Sequence, residues 1–212
     1  MVVGDARDWK SRFVSIDQRF LGRIAVVWPT CIALLSPQST EDQITINLVA
    51  ILCKDEVVRS ICHWVEYQCE PFGTDANGVK FSKGKIDLAV RLDWERERYL
   101  AYECKRLNVV YNGSRASLAT DYVTKGMMRF MTEQYAEAMP IGCMLGYVMD
   151  GDVPFAMTQL EAAIKAHPPL GLTGGPNASA AISNLTRFVT AHTRQTSTTI
   201  ELRHALIPFI KL

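Results

Sequence analysis

The sequence predicts an α/β layered domain in which a central mixed β-sheet is flanked by helices. Three stretches carry that expectation. Ile44, Leu48, Ile51 and Leu52 repeat at helical spacing behind a capping signal. Ile86–Leu92 and Tyr99–Lys105 read as two strands joined by the charged connection Asp93–Arg98. Ile141–Met149 is almost continuously apolar between Pro140 and Asp150-Gly151, the pattern of a strand buried on both faces.

Along the chain, Ser39 or Thr40 is placed to cap the first of these helices, with Glu41 and Asp42 in its opening turn, where carboxylates favour the positive end of the helix dipole. Glu41 lies on the apolar stripe and so faces the sheet, whereas Asp42 is turned away by about 100°. A second helical pattern covers Val57–Cys69, and Phe72–Lys85, with Gly73, Asn77, Gly78 and Gly84, reads as a turn-rich approach to the strand pair. Asn108–Leu118 is turn-like. A helix then runs over Ala119–Met139, its stripe of Val123, Met127, Phe130, Met131 and Ala138 including Gln134 on the buried side. Pro168–Ala181, rich in Pro, Gly, Ala and Ser, reads as a long loop. Beyond it, Ile182–Leu212 holds a helical piece and a strand over Thr199–Ile207 near the sheet edge.

Composition bounds the function. At 212 residues, with 48% hydrophobic and 21% charged side chains, the chain has the size and balance of one globular domain. Six scattered cysteines without a CxxC pair, and no basic-then-apolar start, point to a reducing cytoplasm. The longest apolar run, Ile24–Leu35, is interrupted by Pro29 and falls well short of the ~20 residues that span a bilayer. A net charge of +1 gives no general signature of phosphate binding. Lys80, Lys83, Lys85, Arg91, Arg106, Arg115, Lys125 and Arg129 nevertheless cluster in the central third. His63, His167, His192 and His204 are too dispersed for a metal cluster, and Gly171, Gly174 and Gly175 lack the flanks of a phosphate loop.

The chemistry concentrates on the strand pair. Side chains alternate faces along a strand, so Asp87 shares a side with Ala89 and Arg91, while Glu103 and Lys105 share one side of the next strand. Paired as a hairpin, the start of one strand lies beside the end of the other, and Asp87, Glu103 and Lys105 converge. Two carboxylates on one patch of sheet call for a cation, and a divalent ion with oxygen ligands suits them. Lys105 then stands where it can orient or deprotonate a water, or offset charge on a phosphate oxygen.

The segment GKIDLAV followed on the next strand by ECK resembles the PD-(D/E)XK nuclease superfamily, with Ile86 standing where the motif's name has proline. The resemblance implies a restriction-endonuclease-like core and a Mg²⁺ (or Mn²⁺) site held by Asp87, Glu103 and the backbone carbonyl of Cys104. It also implies that Lys105 assists the attacking water. Glu41 is the candidate for an added glutamate ligand from the first helix, and Gln134 for a glutamine on the helix after the lysine. The implied activity is hydrolysis of phosphodiester bonds in nucleic acid, DNA ahead of RNA. The runs YVTKGMMRF, GCMLGYVMDG and ELRHALIPF extend the resemblance to bacterial nuclease-like proteins of restriction and anti-phage defence, acting as a homodimer or beside a partner subunit. The competing expectation is a nuclease-fold subunit that binds nucleic acid or partner proteins without cutting.

Overall fold

A computed structural model describes residues 9–211. Residues 1–8, where an export signal would begin, and residue 212 lie outside it. The chain is α/β. A seven-stranded mixed sheet, in the order β1-β4-β5-β8-β11-β10-β9, is flanked by helices. No helix among the described residues is long and apolar enough to cross a membrane.

The unforeseen first element is α1 (Lys10–Ala33), which carries Pro29 within it and buries Phe13, Phe20, Ile24 and Trp28 against the sheet. Asp17 of α1 is buried too, and its charge is met by Arg203, Arg187 and the Tyr102 hydroxyl. Helix α2 (Glu41–Leu52) follows, and Thr40 rather than Ser39 caps it. The Thr40 side chain accepts from the Gln43 amide while the Gln43 side chain accepts from the Thr40 amide, a reciprocal capping box.

The expected helix over Val57–Cys69 is two elements. Helix α3 (Glu56–Ile61) stops where Cys62 turns extended, and β1 (Trp64–Cys69) continues as a strand. The aromatic and β-branched residues Trp64, Val65 and Tyr67 suit a pleated surface, and the exposed flank of β4 (Ile86–Arg91) offers them a ladder in the register Trp64↔Arg91. Within the turn-rich stretch, β2 (Phe72–Thr74) and β3 (Lys80–Ser82) pair as a small separate ribbon. Strand β4 then pairs antiparallel with β5 (Tyr99–Leu107) in the register Leu88↔Tyr102. The expected hairpin is therefore present. A second ribbon, β6 (Val109–Tyr111) with β7 (Ser114–Ala116), occupies the turn-like stretch.

The helix expected to reach Met139 ends at Met131. It comprises α4 (Ala119–Asp121), a π-helical segment over Tyr122–Met127 and α5 (Met128–Met131). Its stop is set from across the sheet. The buried Arg194 guanidinium donates to the carbonyls of Phe130, Ala136 and Met139, drawing the chain into a compact coil in which Glu133, Ala136 and Ala138 have φ of 55°, 52° and 57°. Gln134 therefore sits beyond the helix.

Strand β8 (Ile141–Val148), buried throughout, lies parallel to β5. The late helix is α6 (Val153–Lys165), capped by Asp152 with Pro154 in its first turn, and it precedes the glycine-rich stretch rather than following it. That stretch is no loop. After a 3₁₀ turn at Pro168–Leu170 it forms β9 (Leu172–Ile182), an edge strand whose irregular pairing with β10 (Leu185–Thr193) accommodates its glycines and Pro176. Strand β10 replaces the expected helical piece, and β11 (Thr199–Pro208) lies between β8 and β10 rather than near the edge.

Beneath the α4–α5 helical run, the sheet carries a buried chain of hydrogen bonds. His192 Nδ1 is 2.9 Å from the Leu170 carbonyl, His192 Nε2 2.7 Å from Thr190 Oγ1, Thr190 Oγ1 2.9 Å from His204 Nε2, and His204 Nδ1 2.9 Å from the Tyr122 hydroxyl. A carbonyl only accepts, so Nδ1 of His192 carries a proton, and every later donor in the chain of neutral groups follows from that one. Tyr122 donates to His204, His204 to Thr190, and Thr190 to His192. Burial depresses both imidazoles, His204 well below 6.5. A histidine depressed in the fold contributes stability above its unfolded value near 6.5 and loses it as pH falls toward the folded value. Thr190→Val, which strips one partner from each imidazole, should lower stability by about 2–5 kcal/mol at pH 7.5 in chemical denaturation.

Candidate active site

Asp87 opens β4 and Glu103 sits in the middle of β5, on the same face of adjacent strands. The β4–β5 ladder ends at Leu88↔Tyr102, leaving the Cys104 amide to donate to Asp87 Oδ2 at 2.8 Å. Asp87 is thereby fixed beside the strand that carries its neighbours. Lys105, two residues beyond Glu103, turns back over both, and its Nζ lies 2.8 Å from Glu103 Oε1 and 3.8 Å from Asp87 Oδ2.

Glu41 completes the cluster from the other side of the sheet. As the first residue of α2 it reaches over the strand end, with Oε1 2.8 Å from Lys105 Nζ and Oε2 accepting from the Arg106 amide at 3.1 Å. Asp42 instead meets Gln68, so the 100° separation of the two carboxylates sends only Glu41 to the cluster. The Cys104 carbonyl accepts from the same ammonium at 2.8 Å. Glu41, Asp87, Glu103 and the Cys104 carbonyl thus converge on one positive charge. Among the described residues, no group of three or more His, Cys, Asp or Glu side chains is arranged to hold a metal ion.

Glu103 is the most constrained member. Its side chain is 0% exposed, and neither oxygen has a well-directed hydrogen bond, although Lys105 and Arg129 Nε, the latter at 3.4 Å, lie against Oε1. Burial, reinforced by the Asp87 charge, pushes its carboxyl up to about 8 against the partial relief given by Lys105 and Arg129. Burial likewise raises Asp87, offset in part by Lys105 and the Cys104 amide. For Lys105, burial works against the ammonium, but Glu103, Glu41 and Asp87 outweigh it and hold the group charged.

Two contributors escaped the sequence reading. Arg129 is the side chain that the helical run presents to Glu103, while Gln134 packs over Gly84, where an added Cβ would meet its Nε2 at 2.0 Å. Gly126 is the other. A Cβ there would press on Met144 Cε at 2.7 Å and touch the side chains of Glu103 and Lys105 at 3.5 Å, so the missing side chain lets the π-helical turn rest directly on the carboxylate strand. An isolated glycine inside a helical pattern was the available signal. Beside the cluster opens a cleft of about 360 Å³ whose cations are Lys105, Arg106, Lys125 and Arg129, with Glu41 and Asp121 facing them.

Comparison of the chain with family models, with curated proteins and with solved structures returned no match.

Because Glu103 is raised above its unfolded value near 4.5, its contribution to stability is fully present below that value and is lost as pH rises through about 8. Glu103→Gln should therefore match the wild type near pH 5 and exceed it increasingly toward pH 9 in metal-free urea denaturation. A pH-independent difference between the two proteins would contradict a buried, proton-binding Glu103.

Proposed function

We propose that this chain is a metal-dependent nuclease with a restriction-endonuclease-like core, hydrolysing phosphodiester bonds of DNA. The observation that carries the reading is the convergence of Asp87, Glu103, Glu41 and the Cys104 carbonyl, together with Lys105, beside a cleft containing four cations. The order of elements around the motif gives further support: helix α2, the antiparallel run β1-β4-β5, a helix, and the parallel strand β8.

The donor set suits Mg²⁺ or Mn²⁺, since every atom in it is a hard oxygen and the buried Glu103 oxygens lack well-directed hydrogen bonds. Asp87, Glu103 and the Cys104 carbonyl would hold the ion, with Glu41 adding a fourth group. When bound, the ion supplies positive charge to a phosphate oxygen and makes water more acidic. The chain's own residues do the rest. Arg106, Lys125 and Arg129 line the cleft as partners for the phosphate backbone. Lys105 is held firmly as an ammonium, so its role is to donate a hydrogen bond and neutralise developing charge, not to take up a proton. Cys104 fixes Asp87 through its amide while offering its carbonyl on the same side of the strand end.

A second reading, a nuclease-fold subunit that binds without cutting, draws on the same ammonium, because Lys105 already partners the carboxylates and the cluster is electrostatically self-contained.

Purified protein with plasmid and linear DNA in Mg²⁺ separates the readings. Asp87→Ala and Glu103→Ala should each abolish cleavage and weaken Mn²⁺ binding in calorimetry. Lys105→Ala should slow single-turnover cleavage by orders of magnitude with little change in DNA affinity. Glu41→Gln should reduce the rate, and Asp42→Asn should do much less. Full cleavage by the Asp87 or Glu103 variant would end the nuclease assignment, and a wild type that neither binds Mn²⁺ nor cuts would favour the silent subunit.

A further inference from the structure

At the end of the sheet away from the carboxylates, three rings stand together. Trp94, in the β4–β5 connection, is 73% exposed, and its ring centroid lies 5.2 Å from Trp64 and 5.0 Å from His63. The Arg96 guanidinium lies 6.0 Å from the Trp64 ring. An indole this exposed gains little from burial, so the fold does not explain it. The connection is also held without it. The Asp93 carboxylate accepts from the amides of Glu97 and Arg98, the Leu92 amide donates to the Arg98 carbonyl, and Arg91 donates to the carbonyl of Arg96. The loop is thus fixed by polar contacts, and Trp94 is left displayed on it.

The rings share the carboxylates' side of the sheet. Trp64 pairs with Arg91, which lies four residues along β4 from Asp87, an even step that keeps both on one face. The separation along the strand is about 13 Å at the usual rise per residue. Charge narrows the partner. A surface built for duplex phosphates is a field of cations, whereas here Arg91 is engaged by Glu66, and Glu95 and Glu97 stand exposed on the same loop as Arg96. Stacked rings with one guanidinium suit the π-face of a base instead, and such a face is presented only where the base is unpaired.

We propose that Trp94, with Trp64, His63 and Arg96, is a stacking platform for an unpaired nucleobase of a single strand whose backbone continues along the sheet face to the carboxylate site. This deepens the nuclease reading and rests on it for the nature of the ligand: the substrate has an unpaired stretch rather than being continuous duplex.

The test uses the full chain, a short fluorescein-labelled oligothymidylate, and the same strand annealed to oligoadenylate, with anisotropy measured in metal-free buffer and cleavage in Mg²⁺. Trp94→Ala should weaken single-strand binding by about five- to a hundredfold, Trp94→Phe should retain most of it, and duplex binding should be unchanged. A strand carrying one abasic position in register with the platform should lose a similar factor on the wild type and nothing further on Trp94→Ala, because the two changes delete one contact. The proposal is overturned if Trp94→Ala binds oligothymidylate at wild-type strength, or if the abasic and Trp94 losses add. It is equally overturned if light scattering shows that Trp94→Ala changes only the association of copies. A protein that cleaves normally while indifferent to Trp94 sinks the platform alone. One that binds strands through Trp94 but hydrolyses nothing sinks the nuclease reading and leaves the platform standing.

Discussion

Strand β5 is enclosed on both faces and lies where the sheet changes from antiparallel to parallel pairing, with β4 on one flank and β8 on the other. A strand so placed is normally apolar throughout. This one carries a glutamate at its centre, and the surrounding structure is arranged to tolerate it. The Lys105 ammonium folds back two residues, Arg129 descends from the helical run, and the carboxyl retains a proton more readily than an exposed one would. Removing a single partner from such a group leaves an uncompensated buried charge, which is more damaging than never having placed it there. The geometry of Asp87 and Glu41 follows from the same strand, since the Cys104 and Arg106 amides hold those two carboxylates.

The two faces of the sheet are stabilised differently. On the α1 side the polar group is Asp17, saturated by two arginines and a tyrosine hydroxyl, and its network ties the first helix to β5, β10 and β11. On the other side the polar groups are neutral imidazoles in a directed chain ending at Tyr122, within the π-helical turn. Buried polar groups there are satisfied one by one, without net charge beneath the helix that carries Arg129.

What the sequence made legible was local in origin. Capping chemistry at Thr40, strict alternation in β4 and β5 and the apolar density of β8 each act over a few residues, and the helix period alone separated Glu41 from Asp42. What it hid depended on distant partners. Trp64–Cys69 is a strand because β4 has a free flank to offer, and the glycine-rich β9 is a strand because β10 is there to pair with it. The helix ends at Met131 because Arg194, far along the chain, claims its carbonyls, and the same ending takes Gln134 out of the helix and leaves Arg129 as the residue over Glu103. No periodicity within residues 119–139 encodes an arginine at position 194.

The π-helical turn at Tyr122–Met127 holds one residue more than an α-helix would place in the same axial length. Such a segment is a phase shifter. Loss of a single residue from it would restore regular helical hydrogen bonding, yet everything downstream would swing by about 100° around the axis. Phe130 would leave the core and Arg129 would no longer overlie Glu103. The length of this one turn is therefore part of the site's geometry, and a natural or engineered deletion there would leave Asp87, Glu103 and Lys105 unaltered in sequence while disconnecting the helix that serves them.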